Sequence, residues 1–110
     1  MREFKNLSER ANFVTSPDLG ILTGSLITDN SFSGSLHMAP GIGSVATRGT
    51  WVGSLTVQMS PDNTNWFDVE TFTANFAKTI NVGYKSYFRV GFKGSAHTSG
   101  TANYVIAQGY

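Results

Sequence analysis

Alternation of apolar and polar residues with a period of two runs through much of the chain. In "WVGSLTVQM", Trp51, Gly53, Leu55, Val57 and Met59 fall on one side, and Ser54, Thr56 and Gln58 on the other. In "SYFRVGF", Phe88, Val90 and Phe92 oppose Tyr87, Arg89 and Gly91. In "FSGSLHM", Phe32, Leu36 and Met38 oppose Ser33, Ser35 and His37. Successive residues of a strand point to opposite faces of its sheet, so each run reads as a strand with one face buried. In "TANYVIAQ", Tyr104 and Ile106 share one face while Val105 and Ala107 share the other, so cover on both faces is expected there. Turn residues punctuate the chain at Pro17-Asp18, Asp29-Asn30, Pro40-Gly41, Pro61-Asp62-Asn63, Asn81, Gly94-Ser95 and Ser99-Gly100. Strands are predicted near 20–27, 32–38, 44–47, 50–59, 65–72, 77–82, 86–93 and 101–108. The stretch "PGIGSVATRG" at 40–49 reads as a loop with one weak strand. The predicted fold is all-β. It is an antiparallel β-sandwich, a jelly roll of about eight strands first, with an immunoglobulin-like sandwich as the alternative.

Residues 1–19 follow another rhythm and read as an N-terminal arm, leaving 20–110 as the domain. Met1, Phe4, Leu7, Ala11 and Val14 form one stripe of a helix, with Glu3, Lys5, Glu9 and Arg10 off it. Pro17 would end such a helix. So short a helix is marginal alone in water, so its stripe needs a surface to cover: the arm's own domain or a neighbouring subunit. The candidate partner-binding positions in the arm are Met1, Phe4, Leu7, Arg10, Phe13 and Val14.

Composition narrows the functional classes. A chain of 110 residues makes one domain. The absence of cysteine excludes disulfides, thiolate metal sites and a cysteine nucleophile. The net charge of +1 is unevenly spread. Residues 1–71 hold all seven acids and four bases, whereas 72–110 hold Lys78, Lys85, Arg89 and Lys93 and no acid. That asymmetry reads either as scattered solvated charge or as a basic patch facing an acidic partner. No apolar run approaches the ~20 residues of a membrane helix, and "MREFKNLSERANF" lacks the apolar core of a secretory signal. Neither a membrane nor a secretory route is expected.

The densest chemistry lies in "SPDNTNWFDV", residues 60–69. Pro61, Asp62 and Asn63 are turn formers, so a short hairpin loop is the first reading. A calcium site needs roughly six to eight oxygens, of which Asp62, Asn63 and Asn65 would supply only a few. A sugar site would stack a ring on Trp66 or Trp51. Asp68 and Glu70, two apart, would share a strand face as paired carboxylates do. Nothing assembles a nucleophile: Ser occurs in "GSLHM" and "GSLTV", but not in a Gly-x-Ser-x-Gly elbow. "GIGSVATRG" lacks the Lys-Ser/Thr ending of a phosphate loop. Aromatic and basic residues interleave in "GYKSYFRVGFKG", yet the alternation of Phe88 and Phe92 with Arg89 reads as core against solvent, not as a single-strand groove. No catalytic residue, metal or cofactor is expected, and no nucleic-acid partner. The candidate surface contacts are Asp62, Asn63, Asn65, Trp66, Arg89 and Lys93.

Three segments, "WVGSLTVQMSPDNTNWFDVETF", "GYKSYFRVGF" and "SGTANYVIAQ", together resemble a pattern found in small virion proteins of tailed phages. A Trp opens a strand of the form G-x-L-x-V-Q-x-S-x-D, a second Trp starts the return strand, and "Y-F-R-V-G" and "G-T-A" strands follow. The match spans about 50–108 and leaves the N-terminal part without a counterpart. The chain is similar to the jelly-roll capsid decoration, or cement, proteins of short-tailed double-stranded DNA phages. That resemblance implies a non-enzymatic structural protein on the outer surface of the virion, made in the host cytoplasm. It would staple neighbouring major capsid subunits against internal DNA pressure and self-associate as a homodimer. A carbohydrate-binding module and a tail or adaptor protein are the alternatives.

Overall fold

The computed structural model describes residues 20–108. Their order is β1 (Ile21–Leu26), β2 (Ser31–Phe32), β3 (Leu36–Met38), β4 (Gly41–Arg48), β5 (Trp51–Gly53), β6 (Leu55–Ser60), β7 (Phe67–Phe72), β8 (Ala77–Val82), β9 (Ser86–Phe92), β10 (His97–Gly100) and β11 (Ala102–Gln108). There is no helix among the described residues. The arm positions Met1, Phe4, Leu7, Arg10, Phe13 and Val14 lie outside them.

Two antiparallel sheets stack face to face. In sheet I, β2 and β3 share one edge beside β9, followed by β6 and then β7. In sheet II the order is β1-β11-β4-β8. A short ribbon pairs β5 with β10. The chain passes directly between the sheets from β1 to β2, β3 to β4, β7 to β8 and β8 to β9, and by way of the ribbon strands from β4 to β6 and from β9 to β11; β2 to β3 and β6 to β7 stay within sheet I. The all-β antiparallel sandwich expected from the alternation is therefore what the chain forms.

The core fills the space between the inner faces. Sheet I contributes Met38, Leu55, Val57, Phe88, Val90 and Phe92, and sheet II contributes Leu26, Val45, Ile80, Val82, Tyr104 and Ile106. Burial of each such large side chain stabilises the fold by about 1.5–3 kcal/mol. At one rim Trp51 sets its ring edge-on against Phe92, with centroids 5.7 Å apart. Its indole N–H donates to Asn75 Oδ1 at 2.6 Å.

Several expectations are corrected. The stretch 40–49 is no loop: β4 is eight residues long and lies inside sheet II, between β11 and β8. Its glycines serve the strand. Met38 presses so close to Gly43 that a Cβ there would sit 2.5 Å from the thioether sulfur. The run 50–59 is not one strand. It breaks at Ser54, whose N–H donates to Ala96 O at 2.8 Å, so Trp51 and Gly53 belong to the ribbon and Leu55, Val57 and Met59 to sheet I. The edge at 32–38 also breaks. Phe32 and Leu36 are four positions apart, but their partners Gly91 and Phe88 are only three apart. The extra residue reverses the alternation: Leu36 and Met38 face the core, and Phe32 faces outward. β11 is covered on one face only: Ala102, Tyr104, Ile106 and Gln108 are buried, and Val105 is 40% exposed. Finally, β10 was not expected, because "HTSG" carries no apolar alternation.

Candidate functional site

The turn at 61–65 is held together by its own aspartate. One carboxylate oxygen of Asp62 accepts from the backbone N–H of Thr64 and Asn65 and from Ser60 Oγ, at 2.8–2.9 Å. The other accepts from Asn65 Nδ2 at 2.7 Å. Asn63 takes the left-handed conformation, φ 62°, which Asn tolerates well. The donated hydrogen bonds, those of Asn65 and Thr64 first, hold the Asp62 carboxyl well below the usual carboxylate range. Both oxygens of Asp62 are engaged inside the turn, so of the three readings of 60–69 the geometry is that of a structural hairpin. No group of three or more His, Asp or Glu among the described residues is arranged to hold a metal ion.

The turn delivers Trp66 onto the outer face of sheet I. There the Arg89 guanidinium lies between two rings, 4.1 Å from the centroid of Trp66 and 4.1 Å from that of Phe32. Each contact is worth about 0.5–2 kcal/mol, more as water is excluded. Gly91, across from Phe32, makes the arrangement possible, since a Cβ there would lie 2.3 Å from the Phe32 ring. Arg89 Nε donates to Gln58 Oε1 at 2.9 Å, and Gln58 Nε2 donates to Asp68 Oδ1 at 2.9 Å. Lys93 Nζ closes the row on Asp68 Oδ2 at 2.7 Å. Lys93 first, and Gln58 with it, hold the Asp68 carboxyl below its ordinary value. Partial burial lowers the pKa of Arg89, though a guanidinium stays charged in proteins. Beside the stack, His37 and Tyr87 lie ring on ring, 4.2 Å apart and 10° from parallel.

Of the residues singled out from sequence, Trp66, Arg89 and Lys93 come together in this row. Asp62 and Asn65 build the turn that positions Trp66, and Asn63 sits exposed at the turn. Phe32, Gln58 and Asp68 complete the row and were not recognised as part of it. One signal pointed there: a glycine inside a strand, such as Gly91, often marks a close approach by another group. Asp68 and Glu70 do not share a face. Val69 is an extra residue opposite the Val57–Gln58 step of β6. This bulge turns Asp68 outward to Gln58, while Glu70 reaches Lys78 on sheet II at 3.0 Å. Trp51, anchored by Asn75 and Phe92, is part of the rim packing.

The outer face of sheet II differs. Thr23, Ser25, Ser44, Ala46, Asn103, Val105 and Ala107 give much of it short side chains, Ile21 and Ile42 are exposed at one end, and Arg48 is its one charged residue among the described residues. A shallow hollow there is lined by Ala46, Thr47, Arg48, Asn103 and Val105.

The arrangement on sheet I is suited to binding. It offers a row of fixed aromatic, cationic and amide groups. No protein-family model, curated protein or solved structure matches the chain.

Proposed function

We propose that the chain is a non-enzymatic structural protein that docks the outer face of sheet I onto the head of a tailed phage and staples neighbouring major capsid subunits. The observation that carries this reading is the Trp66–Arg89–Phe32 stack, held rigid by Gln58 and Asp68 on an open sheet face. Trp and Arg dominate the energetics of protein–protein contacts, and groups fixed before binding lose little entropy on docking. Strand order supports the architecture that goes with such a role. With β2/β3, β5/β6 and β10/β11 each counted as one interrupted strand, eight segments order 1-8-3-6 in sheet II and 2-7-4-5 in sheet I. We read this as a jelly roll, two interlocked Greek keys, in preference to the ABED/CFG arrangement of immunoglobulin sandwiches. Many weak contacts repeated on one lattice add up through multivalency.

The test is co-sedimentation of the purified protein with mature, undecorated heads, counting copies bound per shell. Saturation at a number commensurate with the lattice supports the reading, and failure to bind intact heads overturns it. A carbohydrate-binding module is the second reading, favoured by the aromatic rings of Trp66, Tyr87 and His37 on one face. Glycan-array signal lost in Trp66→Ala would support it over shell binding. A tail or adaptor role would instead give ring-shaped oligomers of high order.

A further inference from the structure

Charges along the row on sheet I are unequally matched. Asp68 has both oxygens engaged, one by Gln58 and one by Lys93, so its charge is neutralised by the lysine. Arg89 bonds through Nε to the neutral amide of Gln58. No carboxylate among the described residues lies within ion-pair distance of Arg89. Its two Nη nitrogens find no acceptor there either. Among the described residues Arg89 is thus a half-buried, planar cation in one orientation, with a fork of N–H donors left unmatched. Drawing a charge partly out of water without a counter-ion is unfavourable, and an anion that completes the fork reverses that cost. The fork matches a carboxylate by two parallel hydrogen bonds. Clamping between Phe32 and Trp66 removes the rotamer freedom that an exposed arginine would lose on binding.

We infer that Arg89 is a preformed receptor for one carboxylate side chain, Asp or Glu, on the protein surface that this face covers. The inference rests on the shell-docking reading and adds the chemistry of its central contact. Of the four bases in residues 72–110, Lys78 and Lys93 pair with Glu70 and Asp68, and Lys85 and Arg89 have no acidic partner among the described residues, which fits an acidic partner surface. Phe32 and Trp66 would then shield the ion pair from water.

The experiment is head binding by the full chain and three variants, each first checked for a cooperative unfolding transition. Arg89→Lys keeps the charge and removes the planar fork. The double variant Gln58→Glu with Asp68→Asn keeps size and net charge but moves the carboxylate from Lys93 to Arg89, so the receptor is filled from within. Arg48→Gln removes a cation from the outer face of sheet II. Arg89→Lys and the double variant should each weaken binding roughly 30-fold or more, the loss that marks a contact hot spot, and Arg48→Gln should bind as the wild type does. Should Arg89→Lys fail to fold, the double variant, which leaves the stack's atoms in place, decides alone. Wild-type affinity in the double variant overturns the inference and leaves shell docking standing, as does wild-type affinity in a folded Arg89→Lys. Wild-type protein that fails to bind heads overturns both.

Discussion

Gln108 acts as a strand residue through its side chain. It is 5% exposed, and its amide pairs with the backbone of Ala39 in both directions. Oε1 accepts from the Ala39 N–H at 2.7 Å, and Nε2 donates to the Ala39 carbonyl at 2.6 Å. The connection from β3 to β4, which carries the chain from sheet I to sheet II, is thereby tied to the end of β11. Gln108→Leu keeps nearly the same volume and removes both bonds. An orphaned backbone group costs about 1–3 kcal/mol when fully buried. Ala39 is only half-buried, so the pair together should cost about 2–4 kcal/mol. Total stabilities are about 5–15 kcal/mol, so this is a large fraction. A domain of this size shifts by roughly 4–8 °C per kcal/mol, so Tm should fall by roughly 8–32 °C. Urea unfolding followed by Trp fluorescence should show a lower midpoint with an unchanged slope. An unfolding free energy within about 0.5 kcal/mol of wild type would mean that water satisfies Ala39 and that the tie contributes nothing.

Three further outcomes follow from particular residues. Asp29, Asp62 and Asp68 all have lowered pKa values in the folded chain, Asp29 through the N–H groups of His97, Ser95 and Ala96. Their stabilisation is present above the unfolded carboxylate value of about 3.9 and is lost as pH falls through the lower folded values, so urea midpoints should drop on acidification below about pH 4. A midpoint that does not change there would show that these hydrogen bonds do not favour the charged forms. Gly91→Ala sets a Cβ 2.3 Å from the Phe32 ring and 2.4 Å from Ser31 O. It should cost about 1–3 kcal/mol of stability and loosen the Arg89 stack, read as a shift in Trp fluorescence. Removal of residues 1–14 should weaken head binding while leaving the sandwich folded; unchanged affinity would show that the arm takes no part in docking.

The alternation in 86–92 and 55–59 located the centre of sheet I, because those strands have one apolar and one polar face and run without interruption. β4 is hard to read because its outward residues include the apolar Ile42 and Ala46 and its inward ones include Gly43 and Thr47, so hydrophobic contrast between its faces is weak. The interruptions near Ser33 and at Val69 are set by the strands they pair with and leave no local trace in the chain. They decide the site nonetheless. One brings Phe32 to the outer face and the other turns Asp68 toward Gln58. Trp66, Arg89 and Lys93 were visible as single aromatic and basic residues. Their assembly was not, since Phe32, Gln58 and Arg89 meet only through the pairing of β9 with both of its neighbours.

The measurement that tests the central claim most directly is an electron cryo-microscopy reconstruction of heads saturated with the protein. The account predicts density in which the outer face of sheet I, with Trp66, Arg89 and Phe32 at its centre, lies against the shell. Density with that face turned to solvent and the outer face of sheet II against the shell, or bare heads at saturating protein, would contradict it.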